Sequence, residues 1–128
     1  HLSNVEFLCS NANDIDIENN SCDAVTFTQT LEYIDDIDEA LSASKRLQKP
    51  MSNFVNVSTL WDFFGFHGPE KELNNMMHEI YRTQKHPMLP TKLNGKLERQ
   101  GYTNIKTLEI PFFITQKDET HFLNITKH

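Results

Sequence analysis

Three polar residues, Thr28, Gln29 and Thr30, directly follow an apolar, β-branched run at residues 24–27. Such a run is typical of a strand that is covered on both faces of its sheet. In open α/β sheets, ligands bind beyond the carboxyl ends of the strands, where polar side chains can face them. The sequence therefore predicts that these three residues lie beside a bound molecule. The alternative, that they are ordinary polar residues at a strand end, stays open.

An acid/base pair could form close to this strand end. Glu32 follows shortly afterwards in the chain, and either Tyr33 or His67 could be its partner. A carboxylic acid and a second titratable side chain can move a proton on a ligand when both lie within hydrogen-bond reach of it. The pair is a hypothesis that depends on the fold bringing these side chains to the same cleft.

Metal ligation is not predicted. No two histidines have the i, i+4 spacing of a helical metal site, and no Cys or carboxylate lies at ligand spacing from them. The acidic cluster at residues 35–39 lacks the Gly and the distal Glu of a calcium loop, so we interpret it as the solvated start of a helix. Cys9 and Cys22 lack a CxxC spacing and are predicted to be reduced and buried. The histidines considered are His67, His78, His86 and His121.

The composition is that of one folded domain. The chain has 128 residues, of which 38% are hydrophobic and 23% are charged, so wholesale disorder is not expected. The net charge of −6 argues against nucleic-acid binding, because no basic stripe is present to neutralise phosphates. No apolar run approaches the roughly 20 residues of a membrane span, and no leader peptide is visible. A cytoplasmic protein without membrane contact is expected.

Alternating strand and helix patterns indicate an α/β fold. Strands are predicted at residues 5–9, 24–28, 53–60 and 105–110, and helices between Asp36 and Pro50, at residues 70–84 and near residues 91–100. Residues 112–114 could continue the last strand past Pro111 or begin a partner strand. Alternation of this kind favours a mainly parallel sheet with right-handed crossovers and helices on both faces.

Two of the predicted helices carry an apolar face at helical spacing. Asp35 or Asp36 is predicted to cap the first helix at its amino end. The apolar face of the first helix comprises Ile37, Ala40, Leu41, Ser44 and Leu47. The apolar face of the second comprises Leu73, Met76, Met77, Ile80 and Tyr81. Both faces are predicted to fill the core, with the methionines acting as flexible packing residues.

Residues 5–50 carry a series of short motifs at fixed spacing. These are SNA, IDI, CDAV, LEY and RLQKPMS at residues 10–12, 15–17, 22–25, 31–33 and 46–52. The series resembles the middle of class I S-adenosylmethionine (SAM) dependent methyltransferases. It is most similar to the type 11 group, which includes ubiquinone and menaquinone biosynthesis methyltransferases and arsenite-methyltransferase-like proteins. Weaker similarity continues through the Trp-Asp pair at 61–62, HPMLPTKL at 86–93 and LERQGYTNIKTLEI at 97–110.

The resemblance implies SAM as cofactor and a partial Rossmann-like methyltransferase sheet. The acidic residue that accepts a hydrogen bond from the adenine amino group in the family corresponds to Asn11, and the backbone that contacts the ring corresponds to Ala12. Asn11 keeps a carbonyl acceptor but also presents an NH2 group, so its amide must be correctly oriented. Thr28 and Gln29 would line either the methionine end of the cofactor or the entrance to the substrate site. Asn11 could also be a plain loop residue.

The resemblance further implies a small-molecule methyl acceptor. Thr30 and Tyr33 would contact this substrate, and the catalytic residues remain unassigned. Methyl transfer depends largely on how the acceptor and the sulfonium are positioned, so it requires few diagnostic side chains.

The chain departs from the family pattern in its glycines. It lacks the Gly-x-Gly-x-Gly loop that lets the backbone approach the cofactor, and its glycines at 65, 68, 95 and 101 form no cluster. The family's Lys-Pro-Gly-Gly turn reads Lys49-Pro50-Met51-Ser52, so either the turn geometry differs or Asn53 takes the left-handed position.

The family's first two strands, which lie between the counterparts of residues 5–9 and 24–28, are also missing. We therefore expect residues 1–128 to form one methyltransferase-like domain that is incomplete at its amino terminus and inactive alone. The alternative is a non-catalytic methyltransferase-like module that binds a protein partner at an uncovered sheet edge.

Overall fold

The computed structural model describes residues 3–111. Within this range the chain forms two strands and three α-helices, connected in part by two short 3₁₀ turns. The strands are β1 (Cys22–Thr28) and β2 (Gln48–Val57), the helices are α1 (Ile37–Leu47), α2 (Lys71–Arg82) and α3 (Leu89–Arg99), and the turns are Leu31–Tyr33 and Trp61–Phe63.

Strands β1 and β2 pair in parallel, and α1 forms the crossover between them. The register runs from Ala24 opposite Asn53 to Thr28 opposite Val57, with an irregularity near the start of both strands. Met51 lies in this irregular part with φ of 64° and is 97% exposed. The left-handed residue is Met51, so the first of the two alternatives holds: the turn geometry differs, and Asn53 does not take the left-handed position.

Helix α1 forms as its sequence predicts. The side chain of Asp36 caps it, because its Oδ1 accepts a hydrogen bond from the backbone N–H of Glu39 at 2.9 Å. Lys45 and Arg46 lie in the last turn, where cations interact favourably with the helix dipole. The predicted apolar face is buried along the whole helix, and its members are Ile37, Ala40, Leu41, Ser44 and Leu47.

The core lies between one face of the sheet and helices α1 and α3. Phe27 contributes from β1, and Val25 and Phe54 pack against the same cluster because alternate strand residues share a face. The helical members of the core are Ile37, Ala40, Leu41, Leu89, Leu93 and Leu97. Val55 and Val57 on the opposite face are 46% and 49% exposed. Helices on both faces of the sheet therefore remain a prediction.

The predicted strands at residues 5–9 and 105–110 are wrong. Both segments lack regular secondary structure, and Phe7 and Leu108 are 92% and 82% exposed. A strand needs a neighbour to satisfy its backbone hydrogen bonds, and the described sheet contains β1 and β2 alone. Residues 112–114, the proposed continuation of the last strand, lie outside the described residues.

The bounds of four elements differ from those predicted. Strand β1 begins at Cys22 rather than Ala24, and β2 ends at Val57 rather than Leu60. Strand β2 begins at Gln48 rather than Asn53, directly after α1. Helix α2 is slightly shorter at both ends than predicted. Helix α3 begins at Leu89, before the predicted start, because Pro90 is compatible with the first turn of a helix.

The apolar face of α2 is the largest departure from the predicted core. No residue of α2 is buried, and Leu73, Met76 and Ile80 are 48%, 57% and 48% exposed. The predicted burial of the cysteines is also wrong, since Cys9 is exposed and Cys22 is only half-buried. Across residues 3–111, no helix has both the length and the apolarity that crossing a bilayer requires.

Candidate functional site

Polar residues lie together where the two parallel strands end. Because Thr28 pairs with Val57 in a parallel register, β1 and β2 end side by side, and their carboxyl ends form one end of the sheet. The backbone N–H of Gln29 donates to the carbonyl of Val57 at 2.8 Å, and Gln29 has φ of 49°. A non-glycine residue in the left-handed region is strained by roughly 1–2 kcal/mol and needs support from its surroundings.

That support comes from Thr59. The Gln29 Nε2 donates to Thr59 Oγ1 at 3.0 Å, and the Thr59 hydroxyl lies 3.2 Å from Gln29 Oε1. On the other side, the Thr30 hydroxyl donates to the carbonyl of Thr28 at 2.8 Å. These bonds fix the backbone at the strand ends, and Thr28, Gln29 and Thr30 all remain exposed. Thr28, Gln29 and Thr30 therefore lie together on a polar surface at the carboxyl end of β1, which is called the Gln29 edge below.

Glu32 follows these residues in the chain, and its carboxyl group is fully buried. Its Oε1 accepts a long hydrogen bond, 3.4 Å, from the backbone N–H of Thr59. Its Oε2 is buried and has no hydrogen-bond partner among the described residues. A buried carboxyl oxygen without a partner is costly and is often found where a proton or a ligand group is held. Sequence reasoning identified Glu32, but not its burial.

Tyr33 is half-exposed beside Glu32. Burial raises the pKa of Tyr33, and electrostatic interactions with Glu32 and Tyr81 raise it further. At neutral pH the phenol is therefore protonated and can donate a hydrogen bond to a ligand. Within residues 3–111, no hydrogen bond joins Glu32 to Tyr33 or to the exposed His67. The proposed acid/base pair is not assembled by direct contact.

An aromatic cluster extends from Trp61 to α2. Trp61 and Tyr81 stack with ring centroids 4.9 Å apart, and Phe64 and Phe66 stack on Tyr81 at 5.3 Å and 5.2 Å. Trp61 is 8% exposed, and its Nε1 has no hydrogen-bond partner in the described part of the chain. The cluster therefore joins the segment that follows β2 to α2. The close spacing of aromatic residues at 61–66 could have predicted this cluster, but the sequence analysis did not use it.

The predicted adenine loop lies at the amino end of the described chain. Asn11 is exposed, and its Oδ1 accepts a hydrogen bond from the backbone N–H of Asn13 at 3.2 Å. A carbonyl oxygen has two lone pairs, so Asn11 can still accept a second hydrogen bond. Ala12 packs against the hydrophobic core, and Asn13 donates to Glu39 of α1 at 2.8 Å. These contacts attach the loop to the domain.

Arg46 attaches the following segment to the last turn of α1. Its guanidinium donates to the carbonyls of Ile15 and Ile17 at 2.8 Å and 3.0 Å, and to Asn19 Oδ1 at 2.6 Å. The backbone N–H of Asn20 also donates to the carbonyl of Arg46 at 3.0 Å. The loop that enters β1 is therefore held to α1 by this side chain and by backbone hydrogen bonds.

Two histidines of the described range form hydrogen bonds within the fold, and His67 is exposed. His78 Nε2 accepts from the backbone N–H of Phe66 at 2.7 Å, and His86 Nε2 lies 2.8 Å from the carbonyl of Ile34. No group of three or more potential ligands among residues 3–111 could hold a metal ion. His121 lies outside the described residues.

The β1–α1–β2 unit, with polar side chains at its strand ends, is compatible with a partial Rossmann-like methyltransferase fold. Residues 1–56 match a family model described as a methyltransferase domain. The matched stretch contains the Asn11 loop, β1, the Gln29 edge, α1 and nearly all of β2. No curated protein and no solved structure matches the chain.

The match covers 56 of the 128 residues and supports a methyltransferase-like function for that stretch. Members of the matched family generally use SAM. The match ends before the aromatic cluster and α2, so it gives no information about the function of these two elements.

Proposed function

We propose that this chain is part of a SAM-dependent methyltransferase whose cofactor lies at the carboxyl ends of β1 and β2. The observation that supports this is the strained backbone of Gln29, which Thr59 holds at the shared end of two parallel strands. Ligands bind at such ends in α/β sheets, and strained residues cluster at functional sites. Thr28 and Gln29 would contact the methionine end of SAM.

Asn11 and Ala12 would contact the adenine. The Asn11 carbonyl oxygen would accept a hydrogen bond from the amino group while it retains its bond to Asn13. Ala12 is half-buried against the core, so its backbone is a fixed surface for the ring. The chemistry supplied by SAM is an electrophilic methyl group on sulfur, and the residues of this chain bind and orient the two reactants.

Thr30 and Tyr33 would contact a small-molecule acceptor. The protonated Tyr33 phenol can donate a hydrogen bond to an acceptor oxygen or nitrogen, and Glu32 provides a buried carboxyl group directly behind it. The motif series favours the type 11 group, with quinone-biosynthesis or arsenite-type enzymes as the finer assignment. A panel of acceptors incubated with labelled SAM would test that assignment through the product formed.

Calorimetry with SAM tests the proposal. We expect no measurable affinity for the 128-residue chain, because a glycine-rich loop that approaches the cofactor is not among its residues. A longer polypeptide with a Gly-x-Gly-x-Gly loop about 60 residues upstream, the distance occupied by two strand–helix units, should bind SAM. Micromolar binding by the 128 residues alone would contradict the incomplete site.

Side-chain variants of the longer polypeptide locate the site. Gln29→Ala and Asn11→Ala should each weaken SAM binding by about tenfold, the effect of one lost ligand hydrogen bond. Asn75→Ala is the matched control, since Asn75 is exposed on α2, far from the strand ends in sequence. Equal affinities for all three variants would contradict the placement of the cofactor.

A non-catalytic module that binds a protein partner is the second candidate function. It is favoured by the two-stranded sheet, whose outer edges are unpaired among the described residues, and by the exposed Val55 and Val57. Unpaired edges are templates for strand addition. The absence of a glycine-rich loop in the upstream coding sequence, together with no SAM binding by the longer polypeptide, would favour this function.

A further inference from the structure

Helix α2 presents an apolar stripe that the described part of the chain leaves uncovered. Leu73, Met76 and Ile80 follow the i, i+3, i+7 spacing of a helix–helix seam, and each is about half exposed. Isolated exposed hydrophobic residues are normal on protein surfaces, but a continuous stripe on one helix indicates a binding face. We refer to these three residues as the α2 stripe.

The body of the domain contacts α2 along a different side. Tyr81 stacks on Trp61, His78 accepts from the backbone of Phe66, and Asn74 exchanges hydrogen bonds with Gly68 at 2.8 Å and 3.0 Å. Arg82 forms an ion pair with Asp62 at 3.0 Å. The helix is therefore anchored to the domain while the α2 stripe remains accessible.

Acidic residues flank the α2 stripe. Glu72 and Glu79 precede Leu73 and Ile80, so both lie along the same border of the seam. Glu72 forms no ion pair among residues 3–111, and Glu79 approaches Arg82 at 3.5 Å. Lys71 and Arg82 lie on the opposite side of the helix, given its rotation per residue. The exposed surface therefore combines an apolar seam with an anionic border.

We propose that the α2 stripe binds an amphipathic helix of a partner protein that carries lysine or arginine beside its own apolar seam. Such a helix would bury Leu73, Met76 and Ile80 and would place cations against Glu72 and Glu79. Helix-in-groove recognition uses anchors at this spacing, and flanking charges select the partner. This surface is separate from the strand-end site, and the proposal does not depend on methyl transfer.

A second copy of the chain fits the surface less well. In an antiparallel pair the Glu72 and Glu79 border of one helix would face the same border of the other, which places like charges together. In a parallel pair the glutamates would face Met77 and Gln84 of the other copy, which supply no cation. The chain as a whole carries a net charge of −6, which adds to the repulsion. The charge pattern therefore favours a basic partner.

Fluorescence anisotropy with two designed peptides tests the proposal. Both are about 15 residues long, the length at which isolated helices become appreciably stable, and both carry leucine at i, i+3, i+7 positions. One has lysine at the flanking positions and its twin has glutamate. We expect the 128-residue chain to bind the lysine peptide at least tenfold more tightly than the glutamate twin. Equal binding, or no binding of either peptide, would overturn the proposal.

Variants locate the binding to the α2 stripe. Leu73→Glu should weaken binding of the lysine peptide at least tenfold while the chain remains folded at the assay temperature, because Leu73 is half exposed. Glu72→Lys should reduce the preference for the lysine peptide, while Glu98→Lys, the same charge change at an exposed position of α3, should not. A preference that survives Glu72→Lys would contradict the role of the anionic border.

Other occupants of the surface give different results. Concentration-dependent dimers in sedimentation experiments, abolished by Leu73→Glu, would assign the α2 stripe to a second copy and overturn the proposal. Peptide binding that appears only after residues 112–128 are deleted would assign the stripe to the chain itself and would also overturn it. A monomer of the full chain that binds the lysine peptide supports the basic partner.

Discussion

Helices α1 and α2 have nearly the same length and similar apolar periodicity, yet they contribute differently to the fold. Six residues of α1 are buried, from Ile37 to Leu47, whereas α2 has none. Helix α1 is the crossover between two paired strands, so connectivity forces it onto the sheet. Helix α2 follows the sheet and is held by aromatic and polar contacts to the segment 61–68. Periodicity therefore predicts which face of a helix is apolar, and topology determines whether that face is buried.

Matched truncations in the two helices should give the largest difference. Leu41→Ala in α1 removes a side chain with no exposed surface, so we expect a loss of about 2–5 kcal/mol in the free energy of unfolding. Leu73→Ala in α2 should cost less than about 1 kcal/mol because the side chain is already half exposed. Urea denaturation of both variants measures the difference. Similar losses for the two would show that the α2 face is buried in solution.

The amino ends of α1 and α2 also differ, and substitutions there should give a smaller difference in stability than the core truncations. Asp36→Ala should destabilise the protein by about 1 kcal/mol, because the Asp36 side chain caps α1. Glu70→Ala should cost only a few tenths of a kcal/mol, since Glu70 makes no side-chain cap at the start of α2. Thermal unfolding of both variants measures these costs. A larger loss for Glu70→Ala would reverse the comparison.

Substitution of Tyr102 by Phe should have the smallest effect on the free energy of unfolding at neutral pH. Tyr102 packs against the carboxyl end of α1, where Lys45 lies over its ring. Its hydroxyl donates to Gln48 Oε1 at 2.5 Å, and burial raises the pKa of Tyr102 to about 12 from 10.0. The folded state therefore holds this proton more tightly than the unfolded state does. The stability that results is fully present below pH 10.0 and is lost as the pH rises toward about 12.

Denaturation at several pH values should show this loss, and Tyr102→Phe should reduce its slope above pH 10.0. The same comparison at pH 7 is the control, because the Tyr102 phenol is protonated there in both the folded and the unfolded state. An unchanged slope in Tyr102→Phe would contradict the assignment.

Local sequence signals predicted β1, α1 and the strand-end edge well. The apolar run at 24–27, the Asp36 cap and the i, i+3, i+4 pattern of α1 are local features that coincide with the topology. The strands expected at 5–9 and 105–110 were wrong because an apolar, alternating segment becomes a strand only when a neighbouring strand is present. The apolar pattern of α2 was correct, but nothing in its own residues specifies what covers it.

The candidate site also combines features that the sequence could predict with features that it could not. The position of Thr28, Gln29 and Thr30 at a strand end could be predicted from the strand pattern. The left-handed backbone of Gln29 and the burial of Glu32 could not, because both depend on contacts with Thr59, which is distant in sequence. Long-range hydrogen bonds of this kind leave no trace in a local pattern.

The contacts of Arg46 determine how the loop before β1 is attached to the domain. One guanidinium donates hydrogen bonds to three oxygen atoms on the segment 15–19 and so attaches that segment to the final turn of α1. The fork of five donors on arginine makes this arrangement possible, whereas the single ammonium of lysine could not span the same acceptors. The loop that carries Asn11 is therefore positioned by α1 at two points, through Arg46 and through the hydrogen bond from Asn13 to Glu39.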